Sequence, residues 1–259
     1  MIHPDNGIIM GSNPCQFDRV KSSIRAFFNQ AAIRAPMDYL CNTLPKRAEL
    51  YVAGGAIRNI IIALLHGASP PTADIDLFVG NIRHHLNLNT ILREQRIERT
   101  DLGGLRWYPQ ASTYCFDISR LLDFLVINKY QLEATRANLL GTIDFDVNAV
   151  VYDFKRQELY ENHCLAAIAA KTMRFNTRML ADKTLLVFRV LNIRHKIEFT
   201  LGEDIFLFLK TTLDIDTLIQ VKALMMEKLG RPTTQAVLKD LNRICVHKNY
   251  QTYCKAIHP

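Results

Sequence analysis

Two glycines, an arginine and two aspartates at fixed spacing are the residues of this chain best suited to chemistry. They lie in Tyr51-Val52-Ala53-Gly54-Gly55-Ala56-Ile57-Arg58 and, after an apolar stretch from Asn59 to His66, in Ala73-Asp74-Ile75-Asp76-Leu77-Phe78-Val79. Alternate residues of a strand point to the same face. Asp74 and Asp76 therefore project together, while Ile75, Leu77 and Val79 fall on the opposite, apolar face. Paired carboxylates make a hard, oxygen-rich site suited to Mg²⁺. A glycine turn that opens a helix presents backbone N–H groups to phosphate. Together these features point to phosphoryl or nucleotidyl transfer.

The elements that must hold these residues follow from hydrophobic periodicity and turn residues. Residues 17–44 read as one or two helices, with Val20, Ile24, Phe27 and Phe28 at helical spacing and Pro36 as a break. A strand over 49–53 runs into Gly54-Gly55, and a buried helix over 59–66 closes at Gly67. A strand over 75–79 and a helix over 82–95 come next. His84 and His85 face different sides of that helix, which argues against a shared metal. Residues 97–107, with Gly103-Gly104 inside, fit a hairpin, and 114–118 and 147–152 fit strands. Residues 121–127 suit helix or strand, and 159–160 a short strand. Trp107 could stack on a base, with a core position the stronger reading. Beyond about residue 164 the pattern turns helical, over 166–171, 177–196, 204–212, 216–229 and 234–246, punctuated by Gly202, Gly230 and Pro232. The expected fold class is thus α+β: a mixed sheet with flanking helices over 1–165, then an all-helical part over 166–259.

Composition narrows the context. At 259 residues, 49% hydrophobic and 22% charged, the chain is ordinary for a globular protein and can bury a core. No apolar run approaches about 18–20 residues and no leader-like segment opens the sequence, so neither membrane insertion nor secretion is expected. Six cysteines without a C-x-x-C pair fit reduced thiols and a cytoplasmic location. Charge is unevenly placed: residues 1–169 carry 17 Lys+Arg against 17 Asp+Glu, and residues 170–259 carry 15 against 8. The excess of +7 thus sits wholly in the last third. A basic appendage on a neutral half suits a polyanionic partner such as RNA; the plainer alternative is a solvated basic surface.

The ordered motifs resemble the class II branch of the polymerase-β-like nucleotidyltransferases, the family of bacterial CCA-adding enzymes and poly(A) polymerases. That family opens with Gly-Gly-x-Val-Arg-Asp followed by Asp-x-Asp, matched by Gly54, Gly55, Arg58, Asp74 and Asp76. Its later motif is similar to Thr142-Ile143-Asp144-Phe145-Asp146-Val147-Asn148-Ala149, and its third strand carboxylate to Asp117 in Phe116-Asp117-Ile118-Ser119-Arg120. Residues 167–174 and 182–199 resemble the neck that follows. The match covers about residues 48–200, with departures at Asn59 for Asp, Thr142-Ile143 for two arginines, Ala181 for Glu and Leu185 for Arg.

The resemblance implies a nucleotidyltransferase head over 1–165, and a helical neck and body over 166–259 that holds the acceptor. It implies two Mg²⁺ ions on Asp74, Asp76 and Asp117, with Asp117 also nearest to accept the hydroxyl proton. Gly54 and Gly55 would admit the phosphates of a nucleoside triphosphate such as ATP, and Arg58 would neutralise the leaving pyrophosphate. Asp144 and Asn148 would position nucleotide or join head to neck, against a purely structural hydrogen-bonding role. Asp182 would read the base edge, or else cap its helix; Arg178 and Arg189 would touch nucleotide or RNA, or else be solvated. Loss of the neck arginine at Leu185 is expected to relax base choice, and the sequence ends at Pro259 without the long tail of many relatives. Three activities follow: template-independent addition to a tRNA or other RNA 3′ end, a stand-alone transferase of toxin or effector kind, and a non-catalytic RNA- or nucleotide-binding relative. Three clustered carboxylates, which repel without a cation, disfavour the last.

Overall fold

A computed structural model describes residues 14–82, 86–100, 103–110, 112–179 and 182–257. Helices α1 (Pro14–Phe28) and α2 (Ala31–Thr43) lead into strand β1 (Glu49–Ala53), helix α3 (Gly55–His66) and strand β2 (Asp74–Gly80). One helical turn, α4 (Leu88–Ile91), precedes strands β3 (Ile97–Arg99), β4 (Leu105–Trp107) and β5 (Cys115–Arg120). Short helices α5 (Leu125–Lys129) and α6 (Arg136–Thr142) are followed by β6 (Val150–Asp153) and β7 (Glu158–Glu161). The remainder comprises α7 (Cys164–Ala169), two-residue strands β8 (Thr172–Met173) and β9 (Thr200–Leu201) on either side of α8 (Lys183–Ile197), then α9 (Glu203–Thr212), α10 (Ile215–Cys245) and α11 (Tyr250–Ile257).

The expected α+β architecture is present: a seven-stranded mixed sheet in the order β3-β4-β5-β2-β1-β6-β7, then a mainly helical region. Within the sheet β2 and β5 run parallel, and the other neighbours are antiparallel. One face carries Leu50, Val52, Ile75, Leu77, Phe116 and Ile118 against Val20, Ile24, Phe28, Ile57 and Ile61 of α1 and α3. Each such side chain, fully buried, contributes about 1.5–3 kcal/mol. That core continues through Val187, Val190 and Leu209 to Tyr253, so the helical region is packed into it. A smaller cluster on the second face joins Tyr51, Ala53, Ala149 and Val151 to Leu121, Ile127, Leu139 and Ile143. Asp74, Asp76 and Asp117 share this second face by alternation.

Several elements differ from expectation for local physical reasons. Pro36 does not break a helix; it sits inside α2 and is buried with Ile33, Met37 and Leu40, whose packing outweighs one lost backbone bond. Among the described residues of the helix expected over 82–95, only α4 is helical, and the Asn87 side chain caps its start by accepting the Asn89 N–H at 2.9 Å. Arg83, His84 and His85 lie outside the described residues. The 97–107 hairpin is confirmed, with Gly103 at φ 83° in its loop, and Trp107 is a core residue beside Tyr39 and Phe116. Residues 121–127 resolve as a 3₁₀ turn running into α5, and α6 and α11 were not anticipated. The helix expected from 177 starts at Lys183. The two expected over 216–246 meet without a loop at Gly230 (φ 73°, ψ 170°), where only glycine is comfortable. Pro232 then falls in a first turn, where its missing N–H costs little. Among the described residues no helix is long and apolar enough to cross a membrane.

Candidate active site

Gly54 is where β1 turns into α3, and its backbone (φ 72°, ψ −128°) is one that side chains rarely allow. A Cβ placed there would stand 3.7 Å from Asp76 Oδ2, so the glycine turn and the second aspartate are in contact distance. The helix then starts at Gly55, and Arg58 N–H donates to Gly54 O at 3.0 Å. Gly54→Ala is expected to cost about 1–3 kcal/mol through backbone strain and to disturb the Asp76 carboxylate. Thermal melting and a transfer assay check both effects; an unchanged melting temperature would contradict the strain.

Arg58 is only 5% exposed and is tied down on two sides. Its Nη1 donates to Asn148 Oδ1 at 2.7 Å, and its Nε and Nη2 donate to Asn59 Oδ1 at 3.0 and 2.9 Å. Asn59 in turn donates to Thr72 Oγ1 at 3.1 Å. The departure from Asp at residue 59 is thereby explained: the amide supplies the acceptor and spends its own donor on Thr72. Burial pushes the Arg58 pKa down to about 10, opposed by Cys164, Asp76, Asp74 and Asp144, so the guanidinium remains charged at neutral pH. Its side-chain donors in these bonds hold the turn to the Asp144–Asn148 segment. Asn148 is thus brought against Arg58 below the glycine turn.

The carboxylates sit on neighbouring strands. Asp76 pairs in register with Ala53 on β1 and with Asp117 on β5, and Asp74 pairs with Cys115. Asp74 is exposed; Asp76 and Asp117 are half-buried. Burial, then Asp74 and Asp117 beside it, pushes the Asp76 carboxyl up to about 7, against Arg189 and Arg58. Asp117 is not free. Arg106 of β4, opposite it in register, donates Nε to Oδ1 at 2.7 Å and Nη2 to Oδ2 at 2.6 Å. Sequence reasoning missed Arg106, although its place between apolar Leu105 and Trp107 marks it as facing the carboxylate side.

The other expected residues divide. Asp144 is 5% exposed, accepts the Phe145 N–H and forms an ion pair with Arg189, so it ties the segment before β6 to α8. Asp182 caps α8 by accepting the Leu185 N–H at 2.7 Å. Asp182→Ala is expected to lower stability by about 1 kcal/mol in urea melts; no change would show that the cap is dispensable. Arg178 lies over the Phe175 ring at 4.8 Å. Ala181 lies outside the described residues.

Asp76, with its raised pKa and two like charges nearby, suits a cation. Among the described residues, however, no group of three His, Cys, Asp or Glu side chains is gathered closely enough to hold one, so the expected three-carboxylate set is not assembled. Both Asp117 oxygens are engaged by Arg106 in this arrangement.

No family model and no curated protein matches the chain. Solved structures do. A CCA-adding enzyme with ATP superposes with a TM-score of 0.57 at 13% identity, covering 90% of this chain and 52% of that one. The Thermotoga maritima CCA-adding enzyme in complex with tRNA gives 0.54 at 13% identity, covering 91% and 52%. A tRNA nucleotidyltransferase with a primer tRNA and an incoming ATP analogue gives 0.53 at 16% identity, covering 77% and 58%. The chain spans about half the length of these proteins, and what they share with it is the fold.

Proposed function

We propose that this chain is a nucleotidyltransferase that moves a nucleoside monophosphate from a nucleoside triphosphate to an RNA 3′ end, a tRNA or another acceptor, without a template. The observation that carries the reading is Asp76, set between Asp74, Asp117 and the glycine turn that opens α3. Asp74 and Asp76 are the residues that would hold Mg²⁺, which supplies Lewis acidity toward phosphate and lowers the pKa of an attacking hydroxyl. The Gly54-Gly55 turn lets a phosphate approach backbone that a side chain would otherwise cover. Arg58 keeps positive charge beneath that turn, and Asp117 is the carboxylate placed to take the hydroxyl proton once Arg106 lets go of it. The basic last third supports the acceptor RNA, through phosphate contacts that weaken with salt.

The test mixes purified protein with each α-labelled nucleoside triphosphate, Mg²⁺, total RNA and lysate protein, beside Asp74→Ala/Asp76→Ala. Label in RNA that the double variant lacks supports the proposal and names the base. Variant-sensitive label in protein or a small molecule moves the acceptor to the stand-alone kind of transferase, a reading that Leu185 in place of a base-reading arginine favours. No label with any nucleotide would refute transfer and leave a binding role.

A further inference from the structure

We propose that Arg106 is a gate on Asp117: it competes with a divalent cation for that carboxylate, and yields it when nucleotide phosphate gives the guanidinium another partner. The inference rests on the reading of Asp74 and Asp76 as a cation site. Both Asp117 oxygens are taken by Arg106 in a two-bond fork, at 2.7 and 2.6 Å, the strongest common geometry for this pair. The fork takes one lone pair of each oxygen and lays a positive charge against the carboxylate, so a metal ion approaching Asp117 meets repulsion and loses the bidentate direction. Registration decides where the competition happens. Glu98, Arg106, Asp117 and Asp76 lie opposite one another in a single row across β3, β4, β5 and β2, which puts the fork directly beside the central aspartate.

Arg106 also has the freedom a gate requires. Its side chain is 38% exposed and that of Asp117 is 20% exposed, so leaving the fork breaks no packed core. Its other acidic neighbour in the row, Glu98, already accepts from Tyr108 Oη at 2.9 Å and lies 3.8 Å from Arg96. A released guanidinium therefore gains most from an incoming anion, and the triphosphate is the anion this site would receive. Cation at Asp117 and phosphate at Arg106 then favour each other, and such coupling is reciprocal.

Mn²⁺ titration of the nucleotide-free protein, followed by the electron spin resonance of free Mn²⁺, tests the gate without relying on turnover. Wild type is expected to bind Mn²⁺ through Asp74 and Asp76. Arg106→Gln is expected to bind an added equivalent, or to tighten binding on the order of tenfold, and Arg106→Gln/Asp117→Asn to lose the gain. Arg106→Lys, which keeps the charge but loses the fork, is expected to fall between; circular dichroism verifies that each variant folds. In turnover, Arg106→Gln is expected to need less metal yet show a higher KM for the nucleotide, opposite movements that a merely structural residue would not produce. Indifference of Mn²⁺ binding to Arg106, with binding at Asp74 and Asp76 intact, overturns the gate alone. Failure of every variant to bind Mn²⁺ overturns the gate together with the cation site beneath it.

Discussion

Asp76→Asn is expected to abolish transfer and, in the metal-free protein at pH 8, to raise the melting temperature. The two effects share one cause. Asp76 is ionised at a position where burial, Asp74 and Asp117 all oppose its charge, so its pKa stands at about 7 in place of 3.8. A carboxyl raised in the folded state penalises folding when ionised. Well below pH 3.8 the carboxyl is protonated in both states and no penalty exists. Stability then falls as pH rises toward 7, and the full penalty, at most about 4 kcal/mol for such a shift, persists above it. Asparagine removes that charge, so its advantage over wild type should widen from pH 4 to pH 8, by about 2–4 °C for each kcal/mol. Added Mg²⁺ should raise the melting temperature of wild type at pH 8 and leave Asp76→Asn nearly unmoved. Activity should fall by at least about a thousandfold, because the group that holds the cation is gone. A variant less stable than wild type across the whole pH range would show that Asp76 is a structural residue and sink the assignment.

The parts of this site that were legible in the sequence are those set by near neighbours along the chain. Asp74 and Asp76 declare their shared face through strict alternation with Ile75, Leu77 and Val79, and the structure keeps them on one strand. Gly54 is demanded by a backbone angle, and the apolar run after it forms the helix its periodicity requires. What stayed hidden depends on pairing across the sheet. That Arg106 meets Asp117 follows from the β4–β5 register, which no local pattern fixes. The use of Asn59 as the acceptor for Arg58 likewise needs Thr72, thirteen residues away, to take the amide's own donor. Short helices such as α6 and α11 are decided by what they pack on, and propensity over seven or eight residues carries too little signal. The 82–95 stretch shows the converse: apolar spacing suggested a long helix, and among the described residues the one helical turn starts where Asn87 bonds Asn89 locally.

Arg189→Met is expected to cost about 3–5 kcal/mol, the largest stability loss among single changes near the site. Asp144 is 5% exposed, and its charge is met by the Arg189 guanidinium reaching across from α8. Removing the arginine leaves a carboxylate with the Phe145 N–H at 3.0 Å but no compensating cation in its ion pair. The reverse change, Asp144→Asn, should cost less, because Arg189 is 37% exposed and can recover water. Combining the two should restore part of the loss, so that urea melts of the four proteins give a coupling energy of about 1–3 kcal/mol. Additive losses would mean that the pair does not act as a unit. The same arginine also helps hold the Asp76 carboxyl down, so its removal acts on chemistry as well as on folding. With Arg189 gone, Asp76 should ionise at still higher pH, and the acid limb of the pH–activity profile should move toward the alkaline side. A profile that loses height without moving would confine Arg189 to joining α8 to the sheet; a shifted limb would show that α8 tunes the charge of the site it packs against.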